Sequence, residues 1–260
     1  MVATDRFVYV HQPKTGGTFV TKVLFELADE LGTRELKVRS PRTAFVRAKL
    51  KHGTCRDIPR ALRDRPVWTT VRNPYRQYVS EYAFGWWRRD DFRRHFRRRV
   101  RRFDERYPGY PDLSFEDFLR LYHRAFGRTA RSRQFEGAGG VGWLTERFVR
   151  YYARRPRRVL RRLRPDADPA DLDLFDVRYL RTERLNDDLH GALLDAGLDA
   201  ERVAFVPGHG RVLPENAAAV GRPRDWRTYY TPALAAHVRR NDALLFRLFP
   251  DYDLLSDYDL

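Results

Sequence analysis

The residues best suited to chemistry lie in a glycine-bearing segment, His-Gln-Pro-Lys-Thr-Gly-Gly-Thr, at positions 11–18. Glycines in such a turn let backbone N–H groups converge on an anion, and a helix that starts there adds positive potential. Lys14 supplies a mobile positive charge, and Thr15 and Thr18 supply hydroxyl groups. The segment therefore favours phosphate binding, with a simple tight turn as the alternative interpretation.

The order of residues separates this segment from the P-loop of ATP- and GTP-binding enzymes. In the P-loop the lysine follows the glycines and is itself followed by a Ser or Thr that binds magnesium. Here Lys14 precedes Gly16 and Gly17. The Walker A pattern is absent, and a nucleotide-dependent kinase of the P-loop class is kept as the alternative function.

A second group of polar residues follows the run Val-Trp-Thr-Thr-Val at 67–71, which is predicted to be a strand. Arg72 comes directly after it, at the carboxyl end where open α/β sheets bind ligands. Arg76 and Ser80 are four residues apart on a helix predicted to start at Pro74, so they share one face. These residues favour a second phosphate site, with a helix-capping ion pair as the alternative role of Arg72.

Hydrophobic periodicity predicts the elements that position both groups. A short strand over 6–11 precedes the glycine-bearing segment, and a helix over 18–31 follows it and ends at Gly32. Strands that alternate with helices predict an α/β fold, in which a central, mainly parallel sheet is flanked by helices and carries helical insertions. The other predicted elements are a short helix over 58–64, a helix from Pro74 into the low 90s or further, helices over 114–126 (capped by Ser114) and 143–155, a strand over 175–182, and helices over 184–197 and 231–248. Residues 43–50 fit either a helix or a strand, 137–140 form a flexible break, and 156–165 form a basic linker.

Length and composition limit the class of protein. The 260 residues, 42% of them hydrophobic and 36 of them aromatic, exclude general disorder and fit a single domain with a helical, arginine-rich insertion over 85–170. The single cysteine, Cys55, excludes an intramolecular disulfide and a cysteine-rich zinc site, and we expect it to be buried. No apolar run reaches the ~18 residues of a membrane span, and no secretory signal is recognised, so a cytoplasmic location is expected.

The charge is large and uneven. The net charge of +16 comes from 46 arginines and five lysines against 35 acidic residues, and residues 1–164 alone carry +23. Such asymmetry favours a polyanionic partner, with an arginine-rich solvated surface as the alternative. A nucleic-acid-binding module is the third function considered, although no recognised nucleic-acid motif accompanies the charge, so we expect no nucleic-acid partner.

Two arginine runs contribute much of this charge. Residues 86–106 contain ten arginines and four acidic residues, and residues 150–164 contain eight arginines and no acidic residue. Trp86 and Trp87 at the start of the first run could stack a sugar ring or a base. Phe92, Phe96, Val100 and Phe103 recur at three- to four-residue spacing, which predicts a helix that packs by one face.

Two segments of the sequence resemble a known family. Residues 13–18, Pro-Lys-Thr-Gly-Gly-Thr, resemble the 5′-phosphosulfate loop of sulfotransferases that use 3′-phosphoadenosine 5′-phosphosulfate (PAPS). Residues 71–82 resemble the 3′-phosphate element of those enzymes, with an Arg and a Ser eight positions apart. The branch most similar is that of the carbohydrate sulfotransferases related to heparan-sulfate 2-O-sulfotransferase, and their bacterial relatives. Weaker similarity extends to 51–54, 182–189, 229–232 and 249–252.

The resemblance implies a P-loop-like α/β enzyme that transfers a sulfuryl group from PAPS to an acceptor hydroxyl. The acceptor would be a glycan, anionic glycans included, or a glycosylated small molecule. Lys14 would neutralise charge on the bridging oxygen as 3′,5′-ADP leaves, and no metal ion is required. The other implied donor contacts are the backbone amides of Thr15, Gly16, Gly17 and Thr18, the side chains of Arg72 and Ser80, and Arg222 and Arg224 from a basic loop at 221–227.

A general base must accept the proton of the acceptor hydroxyl, and histidine titrates in the range that this needs. The resemblance implies His52, which lies between the two phosphate elements and beside Gly53. Its alternative interpretation is a surface histidine. His11, at the end of the first predicted strand, and Glu136 are the other candidates for the base.

Overall fold

The computed structural model describes residues 1–36, 52–126, 141–164, 166–210, 212 and 225–253. These residues belong to two compact units. The first unit comprises residues 1–73, 150–156 and 174–218, and the second comprises residues 74–149, 157–173 and 219–260. The predictions for 43–50 and 137–140 lie outside the described residues, and the single-domain organisation stays a prediction. In the described part of the chain, every helix is too short or too polar to cross a lipid bilayer.

The first unit contains a five-stranded sheet with the order β3-β1-β2-β4-β5. Its strands are β1 (Val2–Ala3), β2 (Val8–Val10), β3 (Arg34–Glu35), β4 (Val67–Val71) and β5 (Val177–Arg181). Strands β2, β4 and β5 are parallel, whereas β1 is antiparallel to both of its neighbours. The α/β class is confirmed, with a mixed sheet whose parallel part carries the predicted strands.

The antiparallel part of the sheet was not predicted, and the connection from β1 to β2 explains it. Only Thr4 to Phe7 join the two strands, and a link this short permits an antiparallel pair only. Thr4 Oγ1 accepts a hydrogen bond from the Phe7 amide at 2.9 Å, which closes the turn. Strands of two residues, such as β1 and β3, are also too short for alternating hydrophobicity to reveal them.

Along the chain, helices lie between these strands and after the last of them. In chain order they are α1 (Gly17–Glu26), α2 (Ala28–Leu31), α3 (Pro74–Phe84), α4 (Asp90–Arg99), α5 (Phe103–Arg106), α6 (Phe115–Phe126), α7 (Trp143–Tyr152), α8 (Pro156–Arg162), α9 (Leu185–Asp195), α10 (Ala200–Val203), α11 (Pro232–Asn241) and α12 (Ala243–Leu248). Short 3₁₀ turns lie at Cys55–Asp57, Arg60–Leu62, Trp86–Arg88, Pro169–Leu172, Thr182–Arg184, Trp226–Tyr229 and Pro250–Tyr252.

Several predicted elements are confirmed closely. The predicted strand 67–71 is β4, and the predicted helix 114–126 is α6. Ser114 caps α6 as expected, because its Oγ accepts a hydrogen bond from the Asp117 amide at 3.1 Å. Gly32 ends α2 in a left-handed conformation with a φ of 57°.

Four predicted elements differ from the structure in extent, type or continuity. The helix that starts at Pro74 ends at Phe84 and not in the 90s, because Gly85 adopts a left-handed conformation (φ 73°) that ends the hydrogen-bonded ladder. Residues 156–162 form the helix α8 where a linker was predicted. Pro156 occupies the first helical position, where its missing N–H costs nothing. The predicted helices over 18–31 and 231–248 are each interrupted once, at Leu27 and Asp242.

The core of the first unit lies between the sheet and the helices α1, α2, α9 and α10. Phe7 and Trp68, from neighbouring parts of the sheet, stack with ring centroids 3.6 Å apart. Side chains from α1 and α9, including Val23, Leu24 and Leu189, are fully buried in the same cluster. This packing fixes the position of α1, whose first residues belong to the glycine-bearing segment.

The second unit is helical and rich in aromatic side chains. Phe92, Phe96, Val100 and Phe103 are all buried, as predicted, but they do not share one helix, because α4 ends at Arg99 and Phe103 begins α5. The expectation that Trp87 stacks a sugar or a base is wrong. Trp87 is fully buried, stacks on Tyr82 with centroids 5.8 Å apart, and donates from Nε1 to the Tyr82 carbonyl at 3.2 Å.

Candidate functional site

The glycine-bearing segment, residues 11–18, connects the end of β2 to the start of α1. Because β2, β4 and β5 are parallel, the residues that follow them lie at one edge of the sheet; these are His11, Arg72 and Thr182. The first N–H groups of a helix have no intrahelical acceptor, and the N-cap residue of α1, Gly16, has no side chain that could cap them. This end of α1 is therefore suited to bind an anion.

The two glycines of the segment are needed for different reasons. Gly16 adopts a φ of 87°, and a Cβ there would lie 2.6 Å from Leu185 Cδ2 on α9. Gly17 has an ordinary φ, but a Cβ there would lie 2.2 Å from the His11 imidazole. Lys14 also adopts a left-handed conformation (φ 64°), although it is not a glycine. The backbone therefore forms a compact turn directly before α1, with little room for side chains at Gly16 and Gly17.

Replacing Gly17 by alanine should destabilise the first unit by about 1–3 kcal/mol, because the imidazole of His11 is buried and cannot withdraw freely. Gly191, in α9 of the same unit, is the matched control, since a Cβ there meets nothing within 4 Å. Gly191→Ala should stabilise the protein by about 0.5–1 kcal/mol. Chemical denaturation measures both, and equal effects of the two substitutions would contradict the assigned contact.

A chain of buried hydroxyl groups ties this segment to the sheet. Tyr9 OH lies 3.0 Å from Thr70 Oγ1, which lies 2.7 Å from Thr15 Oγ1. Thr15 Oγ1 in turn donates to the Gln12 carbonyl at 2.9 Å. Burial raises the pKa of Tyr9, so its phenol stays protonated. The Thr15 hydroxyl therefore bonds inside the protein and acts as a structural group of the segment.

A second set of hydrogen bonds supports the same segment from α7. Tyr152 OH donates to Gln12 Oε1 at 2.5 Å and lies 2.8 Å from Thr69 Oγ1. Thr69 Oγ1 donates to the Val10 carbonyl at 2.7 Å. Burial raises the pKa of Tyr152 well above its usual value, which keeps the phenol a donor. Thr69, Thr70, Gln12 and Tyr152 were not among the predicted site residues; two adjacent threonines inside a buried strand were the available signal.

The Thr70 hydroxyl lies at the centre of the first chain, so Thr70→Val should cost about 1–3 kcal/mol of stability by leaving buried partners unsatisfied. Thr21→Val on α1 is the matched control, because the buried Thr21 Oγ1 has no hydrogen-bond partner among the described residues. That substitution should be neutral or slightly stabilising. Thermal unfolding of the two variants gives the comparison, and a larger loss for Thr21→Val would refute the assignment.

Arg72 lies beside the segment, as its position after β4 predicts. Its Nη1 donates to the Lys14 carbonyl at 3.3 Å. Thr182, after β5, lies at the same place: its Oγ1 is 2.8 Å from both the Thr15 and the Val71 carbonyls. The Asn73 amide donates to Glu183 Oε1 at 3.1 Å. The structure thus brings a guanidinium group and the start of α1 together in the first unit.

The remaining predicted phosphate contacts lie elsewhere in the chain. Arg76 and Ser80 are on α3, in the second unit, where the Arg76 guanidinium carbon lies 5.5 Å from the centre of the Trp226 ring. Both side chains are partly buried. Arg222 and Arg224 lie outside the described residues.

His52 is partly buried in the first unit and is oriented by the glycine-bearing segment. Its Nδ1 lies 3.0 Å from the His11 carbonyl, and the two imidazole rings meet edge to face with centroids 4.8 Å apart. A carbonyl accepts hydrogen bonds only, so Nδ1 carries the proton. In the neutral ring, Nε2 of His52 is then the atom that can accept a proton.

The structure also bears on the other candidates. The His11 ring is buried against Gly17, whereas Glu136 lies outside the described residues. Cys55 is buried, as expected, and burial raises the pKa of its thiol to about 12. Such a thiol is a poor nucleophile near neutral pH.

Comparison with known proteins assigns no family to the chain. No protein-family model and no curated protein sequence matches the chain. Among solved structures, mouse sulfotransferase SULT7A1 complexed with PAP aligns with a TM-score of 0.47 and 15% identity, over 98% of this chain and 89% of that chain. Similarity at this level does not assign an activity, so the residues of the site must carry the functional interpretation.

Proposed function

We propose that the protein is a sulfotransferase that transfers a sulfuryl group from PAPS to an acceptor hydroxyl. The observation that carries the proposal is the arrangement at the start of α1, where Lys14, two close-packed glycines and Arg72 lie together. Sulfuryl transfer needs positioning and stabilisation of negative charge more than covalent chemistry by the protein. A pre-formed anion site with two cationic side chains supplies both.

The roles within this site follow from the resemblance and the local geometry. The backbone N–H groups of residues 15–18 would bind the 5′-phosphate, and Lys14 would neutralise the charge that develops as 3′,5′-ADP leaves. Arg72 and Ser80 are proposed to bind the 3′-phosphate. Arg222 and Arg224 are proposed to join them from the basic loop at 221–227.

His52 is proposed as the general base. Its protonated Nδ1 is held by the His11 carbonyl, which leaves Nε2 to take the proton of the acceptor hydroxyl. The same carbonyl belongs to the first residue of the glycine-bearing segment. The orientation of the base and the shape of the donor site are therefore linked through His11.

The acceptor is proposed to be a hydroxyl of a glycan or of a glycosylated small molecule, in keeping with the resemblance to the carbohydrate branch. The arginine runs at 86–106 and 150–164 are proposed to favour an acceptor of negative charge, within one cytoplasmic domain whose residues 85–170 form the acceptor-side insertion. The exposed arginines of α8, such as Arg157 and Arg158, support this part of the proposal.

The experiment compares ligands by thermal unfolding in EDTA. A ligand at 100 times its Kd stabilises the folded state by about 2.7 kcal/mol, which gives a shift of several degrees. We expect 3′,5′-ADP to produce that shift and 5′-AMP to produce much less. Stabilisation by ATP that requires magnesium, with none by 3′,5′-ADP, would instead support a nucleotide-dependent kinase.

A further inference from the structure

A buried chain of hydrogen bonds in the second unit joins three helices that the proposed reaction does not explain. It contains Tyr78 on α3, His123 on α6, His237 on α11 and Asp242 at the junction of α11 and α12. Tyr78 OH donates to Asp242 Oδ2 at 2.6 Å and lies 2.7 Å from His123 Nε2. His123 Nδ1 lies 2.8 Å from His237 Nε2.

Asp242 is fully buried, yet its carboxylate is well satisfied. Its Oδ1 accepts hydrogen bonds from the amide and the hydroxyl of Thr145, both at 2.8 Å. Thr145 lies in the first turn of α7, where the helix dipole favours a negative charge. The fit is close, because a Cβ on Gly142 would lie 2.5 Å from Asp242 Oδ1. The carboxylate therefore fixes where the proton of Tyr78 points.

From that end the position of each proton in the chain follows. Tyr78 has one proton, which goes to Asp242, so the phenol oxygen must accept from His123 Nε2. His123 Nδ1 is then unprotonated and accepts from His237 Nε2. Asn241 Nδ2, 3.4 Å from His237 Nδ1, faces the last acceptor. Both histidines are thus neutral and carry their proton on Nε2.

We propose that Tyr78 is a positioning residue for the 3′-phosphate, because this chain anchors α3 between the two residues Arg76 and Ser80. The proposal rests on the function proposed above, in which Ser80 binds the 3′-phosphate. Tyr78 itself is fully buried and does not face a ligand. Its hydroxyl acts through the helix, which it joins to α6 and to the junction after α11.

The charged groups around the chain give it a defined response to acid. Burial lowers the pKa of His237 to about 4; Arg120 and Arg240 lower it further, while Glu116 opposes them. Burial also lowers the pKa of His123 well below its usual value, with a further lowering by His237. The unfolded state therefore binds more protons than the folded state between about pH 6.5 and 4. The free energy of unfolding of the protein decreases as the pH falls through that range.

Asp242 responds in the opposite direction. Burial raises the pKa of its carboxyl. The pKa is lowered by the hydrogen bonds from Tyr78 and Thr145 and by the positive charge of Arg147, which is paired with Glu81. Protonation of Asp242 alone would favour the folded state. It would also remove the carboxylate acceptor that sets the direction of the hydrogen bonds in the chain.

The test compares Tyr78→Phe with Tyr122→Phe, a matched control on α6. Tyr122 is also buried among aromatic rings, but its hydroxyl makes no hydrogen bond within the described part of the chain. Calorimetric titration should show that Tyr78→Phe raises the Kd of 3′,5′-ADP about tenfold, whereas Tyr122→Phe leaves it within about twofold of the wild type. The ratio of the Tyr78→Phe and wild-type Kd values should stay constant between about pH 7 and 5, because both histidines remain neutral in the folded state over that range.

Each other outcome has a definite meaning. Equal Kd values for the two variants, or a ratio that changes between about pH 7 and 5, would overturn the positioning role while leaving the proposed function intact. A wild type that does not bind 3′,5′-ADP would overturn the proposed function, and the positioning role with it. If Tyr78→Phe does not fold, ¹⁵N NMR of the wild-type imidazoles decides: we expect both histidines to be neutral with the proton on Nε2 at pH 7, and a protonated or Nδ1–H form of either would overturn the proposal.

Discussion

Lys14→Ala is expected to lower the rate of sulfuryl transfer by at least about a hundredfold, the loss typical of removing one group that stabilises transition-state charge. The stability of the fold should change little. Lys14 has a φ of 64°, and alanine carries the same Cβ and hence the same cost of the left-handed conformation. The substitution therefore removes the positive charge without relieving or adding backbone strain.

The rate would be measured as release of 3′,5′-ADP from PAPS in the presence of an acceptor found by screening hydroxyl compounds. Lys22→Ala is the control, since Lys22 is exposed on α1 and pairs with Glu26 at 3.6 Å. It should retain full activity. Activity of Lys14→Ala within threefold of the wild type would remove Lys14 from the proposed mechanism.

His52→Gln is expected to lower turnover by about 10²- to 10⁴-fold, which is the usual contribution of a general base. Glutamine can still donate to the His11 carbonyl, so the contact that orients residue 52 is kept while proton acceptance is lost. Binding of 3′,5′-ADP should be unchanged, because the affected step is proton transfer from the acceptor. The acid limb of the wild-type pH–rate profile should also disappear.

His190→Gln is the control for this substitution, since His190 is a partly buried histidine of α9 that bonds to no other group described in the first unit. It should leave turnover unchanged. If His52→Gln retains its turnover, the base is another residue, and His11 and Glu136 are then the next to test. If it loses 3′,5′-ADP binding as well, His52 acts on the donor site and not as a base.

The sequence predicts the local parts of this site well. Val67 to Val71 are β-branched or aromatic and are bounded by Pro66 and Asn73-Pro74, so the strand that presents Arg72 is determined by neighbouring residues. The start of α1 is predictable too, because it also depends on neighbouring residues. The glycine-bearing segment and Arg72 therefore reach the expected edge of the sheet.

Contacts between distant residues are what the sequence could not predict. Gly16 and Gly17 look equivalent in sequence, but one has a left-handed φ beside Leu185, and the other makes room for His11. In the sequence Thr15 looks like a residue that offers its hydroxyl to a ligand. In the structure that hydroxyl bonds to Thr70, 55 residues away. Such roles depend on tertiary packing, which neither periodicity nor spacing reports.

The buried chain in the second unit is the extreme case. Tyr78 and Asp242 are 164 residues apart and touch directly, and nothing around either residue in the sequence marks it as a partner of the other. The interrupted helix at Asp242 was equally hidden, because an apolar period runs through 231–248 on both sides of it. The carboxylate ends one helix to meet a hydroxyl from another.

The binding of 3′,5′-ADP in EDTA, measured by calorimetric titration of the wild type and of Lys14→Ala, tests the central claim most directly. The wild type should bind one molecule per chain without magnesium, and Lys14→Ala should bind it more weakly because the anion site has lost a positive charge. Absence of binding by the wild type, or equal binding by both proteins, would contradict the assignment of residues 13–18 as the donor site.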